Sequence, residues 1–215
     1  MGHPFLRAGR RAQQGQRLLG LALVGPEHAE PRRGGHPVGP LGQGEGLAEQ
    51  CAEAGDADGV QARLVQARAL LAGELVFGWR LELRHQLITG RLALLRGDAE
   101  AALAAATEVE TRAGALGVPR YLTVARVLAR RARGALGLPV DLDALAADLD
   151  RIEGAVAVEA WWWTGEAAAD FAVPAWLDVA AKRAERLARQ AGDYAETLRR
   201  AAGRRLDGWR ALSGR

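Results

Sequence analysis

The sequence predicts an all-α fold of antiparallel helix pairs stacked as an α-solenoid, placed behind an N-terminal segment with no regular structure. Three observations predict it. From residue 47 onward apolar residues recur at helical spacing, and no run of five or more residues alternates as a strand would. A Gly-Asp pair closes one helical pattern and opens the next at Gly55-Asp56 and again at Gly97-Asp98, and Gly137 repeats the position without the acid. A period of about 40 residues in helical sequence marks stacked helix-turn-helix units, each of which buries its second apolar face only against a neighbour.

Residues 1–46 stand apart. They hold Pro4, Pro26, Pro31, Pro37 and Pro40 with eleven glycines, and no period survives that many breakers. The expectation is a disordered or non-native N-terminal segment. Its one apolar run, Leu18 to Val24, is too short for a membrane span and has no A-x-A cleavage site after it.

The helices then follow in order. Leu47–Ala54 reads as the end of a first helix. Ala57–Ala72 places Val60, Leu64, Ala67 and Leu71 on one face, and Leu75–Arg96 carries the stripe Leu83, Leu87, Gly90 and Leu94. Asp98 is the N-cap of Ala99–Leu116, with Ala101, Ala102, Ala105 and Val109 inward. Gly117 ends that helix, and Pro119 starts the next at the position where proline costs least. Asp141 caps Leu142–Ile152, whose inward set is Leu142, Leu145, Leu149 and Ile152. Glu159–Phe171, Pro174–Gln190 and Tyr194–Leu212 complete the chain, the last facing inward through Leu198, Ala201, Leu206 and Trp209. The division expected is 1–46, then repeats over 47–140, then divergent helix pairs over 141–215.

Composition removes several kinds of chemistry. Hydrophobic residues are 49% and aromatic residues only 5% of the 215, so alanine supplies much of the apolar surface, which suits close helix packing. Ser213 is the only serine, and a nucleophile in a frayed tail cannot support a Ser-His-Asp triad. Lys182, the only lysine, has no glycine-rich phosphate loop before it. Cys51 is alone, so neither an internal disulfide nor a CxxC metal or redox pair can form, and a reducing, cytoplasmic setting fits. The expectation is a protein that is not an enzyme and uses no cofactor.

Charge is uneven under a net +3. Residues 141–170 carry Asp141, Asp143, Asp148, Asp150, Glu153, Glu159, Glu166 and Asp170 against one base, Arg151, whereas 182–215 are arginine-rich. An acidic and a basic helix pair lying side by side explain this, since Glu185, Asp193, Glu196 and Asp207 interrupt the basic stretch. The alternative is a nucleic-acid surface on the arginine-rich C-terminal helices.

Residues 83–117 also carry a family pattern. In LRHQLITGRLALLRGDAEAALAAATEVETRAGALG, Gly90 and Ala102 keep side chains small where two helices cross. Ala93, Ala106 and Val109 occupy further packing sites, and Gly97-Asp98 make the turn. This resembles a tetratricopeptide repeat with a lengthened second helix, Ala93 in place of the first-helix aromatic and a late proline, Pro119. It is similar to the repeat arrays at the C-terminal ends of large bacterial signalling ATPases and LuxR-type transcriptional regulators, as is the junction Leu116 to Tyr121. The resemblance implies a non-catalytic protein-interaction module within a larger regulatory protein. No ATPase motif or DNA-binding domain accompanies it, so those activities do not carry over.

Two candidate contact surfaces follow. Phe77, Trp79, Arg80 and Arg84 open a repeat's first helix and would line its concave side, the guanidinium groups being suited to gripping an acidic peptide. Trp161-Trp162-Trp163 covers about 200° of a helix, so the three rings cannot all face one core. Trp162, Trp163 and Trp176 are therefore the second candidate contact. His85 with Glu82 makes a poor metal pair, and the Asp141–Asp150 acids lack a calcium loop's central glycine and closing Glu, so no metal is expected. The expected partner is a protein or peptide, with no membrane contact, and the sequence says nothing of oligomeric state.

Overall fold

The structure, a computed structural model, describes residues 57–71, 78–155 and 157–213. Readings that fall on residues 1–46, Leu47–Ala54, Gly55-Asp56 and Phe77 lie outside the described residues. Eight α-helices and one short 3-10 turn make up the described residues, with no strand among them: α1 Ala57–Leu71, α2 Gly78–Leu95, α3 Ala99–Ala115, α4 Pro119–Ala135, α5 Leu142–Ala155, α6 Ala157–Phe171, α7 Pro174–Gln190 and α8 Ala195–Ser213. The fold is all-α with repeat-like packing of successive helices.

The turns explain the regular spacing. Gly97, Gly117 and Gly137, twenty residues apart, all adopt left-handed backbone, with φ of 80°, 64° and 72°. Behind each, the next residue's N–H reaches back to a carbonyl five residues earlier: Asp98 to Ala93 at 2.9 Å, Val118 to Ala113 at 3.0 Å and Leu138 to Arg133 at 2.9 Å. These are Schellman ends, in which a residue of positive φ satisfies carbonyls the helix would otherwise leave bare. The junction after α6 has the same closure, Val173 N–H to Ala168 O at 3.0 Å, but builds it on Ala172 at φ 53°. Both aspartate caps form: the Ala101 N–H donates to Asp98 Oδ1 at 3.0 Å and the Ala144 N–H to Asp141 Oδ1 at 2.9 Å.

The chain divides into two compact units, Met1–Ala106 and Thr107–Arg215, inside α3 and ahead of the residue-140 boundary read from the sequence. In the first unit α1 packs on α2 through Val60, Leu64, Ile88 and Leu92, with Ala57 and Leu95 at the margin. Gly90, Ala93, Ala102 and Ala106 are all buried there.

In the second unit α6 is central and touches α4, α5, α7 and α8. Its core gathers Trp161, Trp162, Ala168, Leu177, Ala180, Ala184, Ala202, Leu206 and Trp209. Two glycines set its closest approaches. A methyl group on Gly165 of α6 would lie 2.7 Å from Trp209 Cη2 of α8, and one on Gly134 of α4 would lie 2.8 Å from Phe171 Cζ of α6. Both are well inside the ~3.5 Å at which carbon atoms make favourable contact, so glycine is what lets those rings lie against the backbone.

Three packing expectations need correction. Ala101 is exposed and Ala105 only half-buried, the inward face of α3 running instead through Ala99, Ala102, Ala106, Val109 and Ala113. Leu142 is exposed because it follows the cap at the first turn of α5, beyond the reach of the neighbouring helices that cover Leu145, Leu149 and Ile152. Ser213 is not frayed: its hydroxyl donates to Trp209 O at 3.0 Å and Ala168 O at 3.3 Å, so it joins the end of α8 to α6.

Candidate functional site

On α2 the structure places Trp79, Arg80 and Arg84 within the first two turns of one helix. Trp79 and Arg84 are half-buried and Arg80 is exposed. Arg80, Arg84, Leu87 and Arg91 follow the spacing of a single helical stripe, which begins in solvent and ends buried at Arg91. An exposed guanidinium such as that of Arg80 can bind a carboxylate bidentately.

His85 lies on the adjacent face. Its Nε2 is buried without a hydrogen-bond partner, and burial lowers its pKa most, with the Arg68 charge acting the same way and a hydrogen bond to the Leu64 backbone opposing both. The ring is therefore neutral near pH 7 and serves the packing of α1 on α2. Among the described residues no group of three His, Cys, Asp or Glu side chains could hold a metal ion.

The tryptophan triplet behaves otherwise than its spacing implies. Trp161, Trp162 and Trp163 are 9%, 2% and 1% exposed, so all three rings are interior. Three consecutive positions cannot face one neighbour, but α6 has neighbours on four sides. Trp161 packs against Trp209 of α8 with centroids 5.8 Å apart, and Trp162 joins the same cluster. Trp163 points the other way, its ring 5.7 Å from the Arg131 guanidinium of α4 and its indole N–H donating to Glu159 at 3.3 Å. Trp162 and Trp163 thus present no surface to a partner. Trp176 is half-buried at the edge of the same cluster.

A layer of ion pairs, missed in the sequence, links α6 to its neighbours. Arg131 of α4 is 8% exposed and is held between Glu166 and Asp170 of α6, its Nε 2.6 Å from Asp170. Burial alone would weaken its hold on the proton, but the charges of Asp170 and Glu166 outweigh that and raise its pKa further. Arg183 of α7, 5% exposed, donates to Asp150 at 2.7 Å, Glu153 at 3.0 Å and Thr164 at 2.5 Å. Arg130 pairs with the buried Asp148, which Arg151 also meets at 2.6 Å. The acidic residues of α5 and α6 therefore face arginines of α4 and α7, as the side-by-side reading of the charges expects for α7. The Arg130-Arg131 doublet on α4 has no feature in the sequence that sets it apart from the other arginines.

No family model, curated protein or solved structure matches this chain. No helix among the described residues is long and apolar enough to cross a membrane.

Proposed function

We propose that this chain is a non-catalytic helical-repeat module that binds a protein or peptide partner through the α2 face of Trp79, Arg80 and Arg84. The observation that carries the reading is the recurrence of helix and Schellman turn at twenty-residue steps through Gly97, Gly117 and Gly137. Such units stack edge to edge and leave extended faces for recognition. The resemblance of residues 83–117 to a tetratricopeptide repeat supports the same reading, and with it a place in a larger regulatory protein.

The test uses the full chain as bait, with Trp79→Ala and Arg80→Glu/Arg84→Glu as variants whose helical circular dichroism matches wild type. A partner retained by wild type and lost by both variants is the expected result. Partner binding untouched by either variant would remove α2 as the site. Affinity for nucleic acid that falls steeply with salt, in the absence of any protein partner, would favour the arginine-rich C-terminal helices instead.

A further inference from the structure

The arginines of α7 divide into two sets. Arg183 faces inward and is consumed by the ion layer. On the outer ridge Lys182, Arg186 and Arg189 surround an open depression of about 480 Å³ over Ala181, shared with a single acid, Glu185. That acid is already occupied: Arg199 of α8 holds it with two hydrogen bonds, 3.0 Å and 3.2 Å, while Arg189 only grazes it at 3.5 Å. Arg199 also keeps the Glu185 carboxyl below the ordinary range, so it remains an anion with its charge answered.

What remains is unanswered positive charge. Lys182 is exposed and has no carboxylate partner among the described residues, and Arg186 commits one nitrogen to Glu153. Lys182 and Arg189 are two helical turns apart, a rise of ~10 Å. Exposed Asp178 and Asp193 stand beyond the two ends of this basic window and limit its length.

We propose that this ridge is a docking surface for a short acidic segment of a partner protein, with carboxylates placed to meet Lys182 and Arg189 and neutral residues between. Three residues of extended chain, or two turns of helix, span the same ~10 Å. A nucleic acid fits less well. Every nucleotide carries a phosphate, so a strand would set charge against Glu185 and the bounding aspartates, where a peptide can offer a neutral side chain. The proposal rests on the reading of the chain as a protein-binding module but uses a different surface from α2.

The test is fluorescence anisotropy of a labelled peptide with glutamate at every third position among serines, titrated with the full chain, beside a labelled oligothymidylate of equal length. Peptide binding that weakens ~10-fold or more in Lys182→Glu/Arg189→Glu is the expected result, two charge-assisted pairs being replaced by repulsion. Arg200→Glu/Arg204→Glu on the outer face of α8 should leave it nearly unchanged. Three results overturn the proposal: no peptide binding, equal loss in the α8 variant, or preference for the oligonucleotide. Because Arg80→Glu/Arg84→Glu leaves α7 intact, loss of peptide in that variant alone assigns binding to α2. Retention of a protein partner through α2 without peptide binding at α7 refutes only the ridge.

Discussion

Gly165→Ala is the sharpest test of the packing around α6. On an exposed helical surface this change adds about 1 kcal/mol of stability, because alanine gives up less backbone freedom than glycine on folding. Here the new methyl would lie 2.7 Å from Trp209 Cη2, with Cζ3 and Cε3 closer still. The ring has little room to yield, being 4% exposed and packed on Trp161 at 5.8 Å. Overpacking of this kind costs roughly 1–3 kcal/mol, and expelling the indole altogether would cost ~3–5 kcal/mol. With three ring atoms this close, the clash falls in the upper part of the overpacking range, roughly 2–3 kcal/mol, and exceeds the propensity gain for a net loss of about 1–2 kcal/mol. For a chain of this size that lowers Tm by roughly 2–8 °C. Thermal and urea melts followed by far-ultraviolet circular dichroism measure it. The diagnostic is the double variant: in a Trp209→Leu background the space is free, and Gly165→Ala should become neutral or stabilising. A raised Tm for Gly165→Ala in the wild-type background would refute the close approach of α8 to α6.

Two further outcomes follow from the turns and the ion layer. Ala172 holds a left-handed φ of 53° where equivalent turns use glycine, so Ala172→Gly relieves ~1 kcal/mol of strain, less the extra freedom glycine gains in the unfolded chain. The expected gain is about 0.5 kcal/mol, with Gly117→Ala, whose Cβ would meet nothing within 4 Å, losing a similar amount or more; urea midpoints moving the other way would refute the shared turn geometry. Packing against α4 partly desolvates the Asp170 carboxyl, which is still 40% exposed, and raises it above the ordinary aspartate range, against the Arg131 charge and hydrogen bond and with a smaller push from Glu166. The folded chain then binds that proton more tightly than the unfolded chain, so its contribution to stability falls as pH rises from about 3.9 through the raised value. Asp170→Asn removes this titration, and urea melts should find the variant gaining on wild type as pH rises above about 4; a gap that moves the other way refutes the raised carboxyl.

Most of the architecture was legible because it is written in local signals. The bounds of α7 were read to the residue, Pro119 and Pro174 both open helices, and Asp98 and Asp141 cap as their positions imply. Each of these needs only a few neighbouring residues. The arrangement around α6 was not legible, since it depends on how many helices surround one segment. Periodicity assigns a helix one inward face, and on that premise Trp161-Trp162-Trp163 had to leave a ring outside. With α4, α5, α7 and α8 all touching α6, each of the three faces that carry the tryptophans is covered. The same blindness hid Arg131 and Arg183, which read as two among many arginines until the fold buries them opposite Glu166, Asp170, Asp150 and Glu153.

The interior use of the tryptophans bears on where recognition falls. Helices as rich in alanine as these contribute little volume per residue, and a core made of them needs a few large groups to reach interior density. Trp161, Trp162, Trp163 and Trp209 supply that volume in the second unit, and Gly134 and Gly165 make room for rings beside them. Aromatic groups that would dominate an interface are thus spent inside. The ion layer similarly takes the inward arginines, where removing one partner from a buried pair costs ~3–5 kcal/mol and so fixes them to structure. On the outside, exposed guanidinium and ammonium groups stand on helix ridges, among them Arg80 on α2 and Lys182 and Arg189 on α7. On the proposed reading, a partner would be selected by charge and by the spacing of its acids, with affinity that weakens as salt screens them.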